Sequence, residues 1–451
     1  MADAKLPSRR ERHLLVVGAA AAAGGTGGLV VCAPRLDPVA SVGLVLLAFA
    51  GWALVVHVAD GAGAAALAIV AVAAAAVFAV AVVVPPRGSG DLWGYAMYGR
   101  IATVHHASPY VHFPTEYAHD PFLARMGGSH RHVRAPYGPG LVSYAAIVAS
   151  VAGRSALATR LLFQAGAAIA VAAIAALLWR RTRSASAVTW VALNPLVIIT
   201  LVSEGHADGL LALAVLAGVL LAVDRRPVAS GFALVAAGLV KLPGLLALPA
   251  IAAWAWWRHG RREAARIVAP GVALVAVGYL PLGTSTLDAL GDSDQLVSRI
   301  VPWTPLRELL AKDHRSLTSA VPTVALVAVG VLAVVLALAN LREDDAGLAA
   351  GASLAAFALV AAYVLPWYAV WALPVLALHR RSPLARLVAV QGAFLLAAYQ
   401  LPDHGAITSN GVLVGRFVTD VAPVAFVVIA LWIALRASQR GRAPAPTLVP
   451  S

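Results

Sequence analysis

Apolar stretches of about 20 residues recur along the whole of this 451-residue chain. Each is long enough to cross a hydrocarbon layer of about 30 Å as a helix. Charged residues make up 12% of the sequence and hydrophobic ones 61%, with a mean hydropathy of +0.82. A soluble domain carries roughly twice that charged fraction. The runs do not alternate polar and apolar residues, as the strands of a transmembrane β-barrel must. They predict an all-α polytopic membrane helix bundle of about 12–14 membrane helices.

The net charge of +13 is not the footprint of a nucleic-acid binder. The basic residues sit in short clusters between the apolar runs: Arg9-Arg10-Glu11-Arg12, Arg180-Arg181-Thr182-Arg183, Arg225-Arg226, Arg258 to Arg262, Arg380-Arg381 and Arg436 to Arg442. Such placement follows the positive-inside rule. It puts these clusters on the cytoplasmic side, against anionic lipid headgroups. The single cysteine, Cys32, excludes an intrachain disulfide and a cysteine-based metal site. The first apolar run is read as a retained helix, because it is long and lacks a small-residue cleavage signal.

Charge and apolar pattern together give an organisation. Residues 1–12 form a basic cytoplasmic tail and 13–85 carry the first membrane helices. Residues 86–157 form an extracytoplasmic loop with interfacial helices, including an apolar segment at 140–153 that is about one turn short of a span. Residues 158–283 are a membrane helix core, in which Lys241-Leu242-Pro243 splits the stretch 228–257 into two short helices. A second extracytoplasmic segment covers 284–318, with Asp288, Asp292, Asp294, Arg299, Trp303, Arg307 and Arg315. Further apolar runs fill 319–436, including one at 367–378, and 437–451 is a basic, proline-rich tail. Leu365-Pro366-Trp367-Tyr368 and Leu401-Pro402-Asp403-His404 mark turns on the outer side. Both termini are expected in the cytoplasm of a multi-pass plasma-membrane protein.

The polar chemistry concentrates between Asp91 and Pro139. Asp91 begins a helix just after a span ends, with Tyr95, Tyr98 and Arg100 in the turns that follow. A carboxylate at a membrane–water boundary loses part of its hydration, which makes it a better proton acceptor. It can then take a proton from an acceptor hydroxyl. The plainer role for an aspartate there is a helix N-cap. Beyond it come His105, His106, Ser108-Pro109-Tyr110, His112 and His119-Asp120-Pro121, then His130, Arg131, His132, Arg134 and Pro136-Tyr137-Gly138-Pro139. The histidine spacing is irregular and lacks the helical pair with a carboxylate that metal hydrolases require. No metal or other cofactor is expected, with a divalent ion left open. Arg131 and Arg134 suit an anionic phosphate through bidentate geometry, or equally a lipid headgroup.

Glu204, His206 and Asp208 lie between two apolar runs. Ionisable groups at that depth are costly and usually functional, although they can also close a helix turn among themselves. Lys241 falls mid-membrane by sequence and needs a partner, either one of these carboxylates or a lipid phosphate. Asn194-Pro195 breaks the preceding helix, and freed backbone groups can line a cavity.

The succession of these motifs resembles the GT-C superfamily of membrane glycosyltransferases that use polyprenyl-phosphate sugars. The matching pieces are Asp91-Leu92-Trp93-Gly94-Tyr95, Tyr98-Gly99-Arg100, Ser108-Pro109-Tyr110, Asp120-Pro121 and Pro136-Tyr137-Gly138-Pro139. They continue with Leu193-Asn194-Pro195, Glu204-Gly205-His206-Ala207-Asp208, Lys241-Leu242-Pro243 and Pro366-Trp367-Tyr368. The nearest likeness is to actinobacterial mannosyltransferases that use polyprenyl-phosphate mannose. Two histidines at 105 and 106, and Glu204 and Ala207 in the second motif, depart from the family pattern. These departures bear on the sugar and acceptor more than on the reaction type.

The resemblance implies an inverting single displacement on the extracytoplasmic face, with Asp91 as general base. The donor is implied to be a polyprenyl-phosphate sugar, with mannose foremost, and the acceptor a glycolipid or envelope glycan. Arg131, Arg134, Lys241 and His206 are the candidate cations for the departing phosphate. The remaining expected substrate contacts are Tyr95, Tyr98, Arg100, Tyr110, Asp120, Tyr137, Glu204 and Asp208. The alternative class is a lipid-linked-sugar flippase or transporter, which shares the bundle but tends to show repeats and polar groups at mid-membrane.

Overall fold

A computed structural model describes residues 7–32, 35–60, 62–291, 298–341, 346–400 and 414–440. All regular structure among them is helical. Among the described residues, seven helices are long and apolar enough to cross a membrane: Arg9–Cys32 (α1), Pro38–Val58 (α2), Gly63–Val83 (α3), Ala156–Thr182 (α6), Arg261–Leu282, Ser316–Ala339 and Val414–Gln439. An eighth is a pair bent by 40°, Ala185–Ala192 (α7) followed by Pro195–Ser203. Shorter apolar helices fill the bundle between them: Pro139–Ala152 (α5), Asp208–Val223 (α9), Pro227–Val240 (α10), Ala346–Val360 (α16) and Pro383–Ala398 (α18). The polytopic helical architecture read from the sequence is thus present.

The long helices leave much of their apolar surface uncovered. Only 11% of the apolar window in Arg261–Leu282 is buried by protein, and Leu326, Val327, Val331 and Val334 on the helix Val321–Ala339 (α15) are exposed. A protein in water would bury such faces, so here they meet lipid. The interior holds the short helices instead: almost every residue of α16 is buried. The apolar stretch at 367–378 is not one helix. It forms a 3₁₀ turn over Pro366–Trp371 and one short turn over Leu373–Leu376, because Pro374 lacks the amide that would extend the ladder.

The polar segment after α3 is a folded unit. It starts with the helix Asp91–Thr103 (α4), continues through three 3₁₀ turns between Pro114 and His132, and ends in α5. α4 and α5 pack so closely that a Cβ on Gly99 would lie 2.2 Å from the Ala145 carbonyl oxygen. The 14-residue α5 is the short apolar helix expected at 140–153.

The chain between α4 and α5 is held by a buried ion pair. Arg100 donates through Nε to both carboxylate oxygens of Asp120, at 3.0 and 2.9 Å, and through Nη1 to the Gly153 carbonyl at 2.9 Å. His105 meets the same carboxylate at 2.9 Å and stacks on Tyr117. Burial disfavours the Asp120 carboxylate, but the Phe122 amide, His105 and Arg100 outweigh it and hold its carboxyl below the usual range. His112 pairs with Glu116. Two histidines of this loop, His105 and His112, therefore serve its own fold.

The second polar segment packs against the first. It contains the helices Ser285–Gly291 and Thr304–Asp313. Arg134 donates to the Asp288 carbonyl at 3.2 Å, and the Ser298 amide donates to the Ala362 carbonyl at 3.0 Å. Asp292, Asp294 and the turn at Pro402-Asp403-His404 lie outside the described residues.

Removing Asp120 strands the buried Arg100 guanidinium. Asp120→Ala is expected to cost about 3–5 kcal/mol, read as a fall in the thermal midpoint of the detergent-solubilised protein. Because the folded-state value is depressed, the contribution is complete above about pH 4. It is lost as pH falls through the lower folded value. The wild-type midpoint should drop more steeply than the variant's below that pH; parallel curves would remove Asp120 as the cause.

Candidate active site

The site begins where α3 ends. The last carbonyls of a helix have no partner within it, and in an apolar setting each must be met by another group. Two residues of α6 do this. Gln164 Nε2 donates to the carbonyls of Ala81 at 2.9 Å and Val84 at 3.0 Å, and Arg160 Nη1 reaches those of Val82 and Val83. Gln164 also contacts the Ser203 carbonyl at 2.6 Å. One side chain thus ties the end of α3 to the end of the bent helix.

The bend has a local cause. Asn194 caps the Pro195 turn by accepting from the Leu196 amide at 3.0 Å, and Ile198–Ser203 then winds as a π-helix. π-turns frequently mark functional positions. The chain then turns through Gly205, at φ +68°, where a Cβ would lie 2.6 Å from Leu92 Cδ1. Only glycine suits both the left-handed backbone and that approach.

Glu204, at the head of this turn, binds backbone. Its Oε1 accepts from the amides of Arg87 at 3.2 Å and Gly88 at 3.0 Å, and its Oε2 from the Ser89 amide at 2.9 Å. The loop before α4 is thereby fixed by a charged acceptor. Ser89 Oγ accepts from the Asp91 amide at 3.1 Å and contacts His206 Nε2 at 3.0 Å. His206 is fully buried, lies 4.1 Å from Trp367 between ring centroids, and has an Nδ1 without a partner among the described residues.

Asp91 is the first residue of α4, and the N-cap position belongs to Gly90. The capping role weighed from sequence is therefore not what its side chain does. The carboxylate is 8% exposed and faces two imidazoles, His130 Nε2 at 3.5 Å and His206 Nε2 at 3.8 Å. Both separations exceed a hydrogen bond to nitrogen. The oxygens therefore stay open to a hydroxyl donor.

Asp91 and His130 line a cavity of about 370 Å³ together with Tyr137, Lys241, Tyr368 and Trp371. Lys241 stands in extended backbone just past α10. Its Nζ donates to both oxygens of Asp208, at 3.0 and 2.9 Å, and Trp371 Nε1 donates to one of them at 2.6 Å. The ammonium also lies 5.3 Å from the centre of the Tyr137 ring and 5.5 Å from that of Tyr368. Of the two partners open from sequence, a carboxylate or a lipid phosphate, Asp208 is the one present. Tyr137 is placed by the glycine after it: Gly138 donates to the Val240 carbonyl at 3.0 Å, and a Cβ there would lie 2.2 Å from the Leu239 carbonyl oxygen.

The structure gathers Asp91, Tyr137 and Lys241 on the cavity wall, with Asp208 buried behind Lys241, and Glu204 and His206 behind Asp91. Tyr95 packs edge-on against Tyr137, with ring centroids 5.0 Å apart. Tyr98 donates to the Val133 carbonyl at 2.9 Å, and Tyr110 is buried. Arg100 and Asp120 are occupied with each other. Arg131 binds the carbonyls of Met126 and Ala124. Arg134 binds that of Asp288 and lies over the Phe113 ring. None of these last four lines the cavity. Among the described residues, no three of His, Cys, Asp and Glu converge as metal ligands would. Ser89 and Trp371 were not picked out from sequence: Ser89 carries no motif, and Trp371 lies one helical turn after Trp367.

Residues 33–258 match a family model described as alpha-(1→6)-mannopyranosyltransferase, N-terminal domain. Residues 309–436 match a second, described as MptB C-terminal domain. The chain is 28% identical over 274 residues to alpha-(1→6)-mannopyranosyltransferase A of Mycobacterium tuberculosis. That alignment covers 54% of this chain and 52% of the relative, so the match spans about half the relative's length. Asp91, Asp208 and Lys241 fall in the first matched region, and Tyr368 and Trp371 in the second.

Lys241→Met leaves Asp208 as a buried, uncompensated carboxylate and is expected to cost about 3–5 kcal/mol. The double substitution Asp208→Asn with Lys241→Met removes both charges and should recover most of that loss. Thermal unfolding of the three variants checks this. A loss in the double variant equal to the sum of the two single losses would show that the pair is not coupled.

Proposed function

Since the chain belongs to the alpha-(1→6)-mannopyranosyltransferase family, we propose that it transfers a hexose, foremost mannose, from a polyprenyl-phosphate donor to a hydroxyl of a glycolipid or envelope-glycan acceptor. The observation that carries this reading is the open carboxylate of Asp91 in a cavity shared with Lys241. In this reading the acceptor hydroxyl gives its proton to Asp91 as its oxygen bonds to the anomeric carbon. The bond from that carbon to the phosphate oxygen breaks, and its electron pair leaves with the polyprenyl phosphate. A single displacement inverts the anomeric configuration.

The leaving group is already anionic, so it needs charge stabilisation rather than a strong acid. Among the described residues, Lys241 is the cation that lines the cavity, and His130 lies on the same wall. The guanidiniums of Arg131 and Arg134 hold backbone carbonyls instead, so the phosphate role shifts to Lys241 in this proposal. Tyr137 and Tyr368 offer ring faces against which a sugar can stack.

We place the reaction on the extracytoplasmic face. α3 is 21 residues long, with Asp60 before it and Asp91 after it. The basic residues Arg380 and Arg381 pair with Asp60 at the far end, which the positive-inside rule assigns to the cytoplasm along with both termini. A lipid-linked donor supplies an activated sugar where no nucleotide sugar is needed.

Asp91→Asn keeps the shape of the side chain and removes the base. Turnover of a polyprenyl-phosphate sugar by the purified variant is expected to fall about 10²–10⁴-fold at unchanged thermal midpoint. Near-normal turnover by the folded variant would dismiss Asp91 as the base. Movement of lipid-linked sugar across vesicles without product would replace the transferase reading by a flippase.

A further inference from the structure

A second cavity, of about 640 Å³, opens at the opposite end of the bundle between α2, α7 and α18. The 21 residues of α3 separate it from Asp91 by roughly 30 Å, so it forms no part of the site described above. We propose that this cavity binds the phosphate headgroup of an anionic membrane lipid.

Its walls are rich in donors and poor in acceptors. Arg380, Arg381 and Arg386 all contribute guanidiniums. Arg380 and Arg381 share a single carboxylate, that of Asp60, and Arg380 Nε donates to Ser186 Oγ at 2.8 Å. The Ser186 hydroxyl in turn donates to the Val56 carbonyl at 2.6 Å, which fixes the Arg380 guanidinium against the bundle. Burial opposes the charge on Asp60, but Arg381 and Arg380 outweigh it and hold its carboxyl below the usual range. Arg386 is exposed and has no partner among the described residues. Three guanidiniums thus face one carboxylate.

A further donor stands in the same wall. Trp190 is 4% exposed, and its Nε1 has no hydrogen-bond partner among the described residues. Its neighbour Trp52 lies 5.0 Å away between ring centroids, with its own Nε1 satisfied by the Thr189 carbonyl. A buried N–H without an acceptor is costly. A ligand that brings several acceptor oxygens and negative charge answers both the indole and the guanidiniums, and phosphate matches guanidinium geometry in bidentate fashion.

The apolar flank selects a lipid over a free anion. Val390, 59% exposed on α18, and Ala389 line the same cavity. An acyl chain leaving the headgroup can lie along this lipid-facing surface, whereas inorganic phosphate makes no use of it. The arginines supply the electrostatic attraction to anionic lipid.

The test uses the full chain in a neutral detergent, with phosphatidylglycerol, phosphatidylcholine or inorganic phosphate added. Retained lipid is read by native mass spectrometry and stabilisation by the thermal midpoint. Phosphatidylglycerol should be retained and should raise the midpoint, while phosphatidylcholine should do neither. Arg381→Gln with Arg386→Gln, both exposed, should weaken phosphatidylglycerol binding about tenfold or more. Arg261→Gln with Arg262→Gln removes the same charge from another cluster and should leave binding unchanged. An equal loss in this control pair would reduce the effect to general surface charge and overturn the site. Equal binding of phosphatidylcholine would overturn it as well. Inorganic phosphate that stabilises at the same concentration as the lipid would overturn the lipid assignment.

Discussion

The Glu204 carboxylate, bound to three successive backbone amides at residues 87–89, is the interaction on which the site depends. It joins two segments more than a hundred residues apart. One is the turn after the bent helix, and the other is the loop that starts α4. Without that acceptor the three amides would be partly buried and unmet, and the loop would have no reason to hold one path. With it, Ser89 lies against His206, and Asp91 enters α4 with its carboxylate aimed into the cavity. Gln164 and Arg160 secure the same junction from the other side by meeting the carbonyls at the end of α3.

The two ends of the chain contribute differently to the cavity. The N-terminal matched region supplies the charges, Asp91 and Lys241 on the wall and Asp208 paired behind Lys241. The C-terminal region supplies aromatic walls, Tyr368 and Trp371, and the exposed helix α15. Trp371 reaches across to bond Asp208 over a sequence separation of 163 residues. The cavity therefore exists only when both regions are packed together.

Much of this was legible in the residues, and what was not has a physical reason. The spans declare themselves by length and apolarity, because lipid imposes a fixed thickness. Asp91, the turn from Glu204 to Asp208 and Lys241 stand out because ions are rare in such a setting. The pairings among polar residues are another matter. Arg100, Asp120, Arg131 and Arg134 look like ligand contacts in a linear reading, since an arginine that holds its own loop and one that holds a phosphate are the same letter. Only the fold shows that the arginines donate within the protein and that Asp120 accepts from Arg100. The union of Asp60 with Arg380, 320 residues away, gives no local signal at all. The run at 367–378 misled by being apolar throughout while carrying Pro374, which forbids a continuous helix.

The compensated state of Lys241 has a kinetic side. Its ammonium already has a carboxylate at hydrogen-bond distance and two ring faces near it. An unmatched lysine in so dry a place would grip any anion that formed beside it. A matched one offers a weaker hold, enough to steady charge for the duration of a bond change but not to retain a spent carrier. Under the transferase reading, the Asp208 partner sets how quickly the site empties.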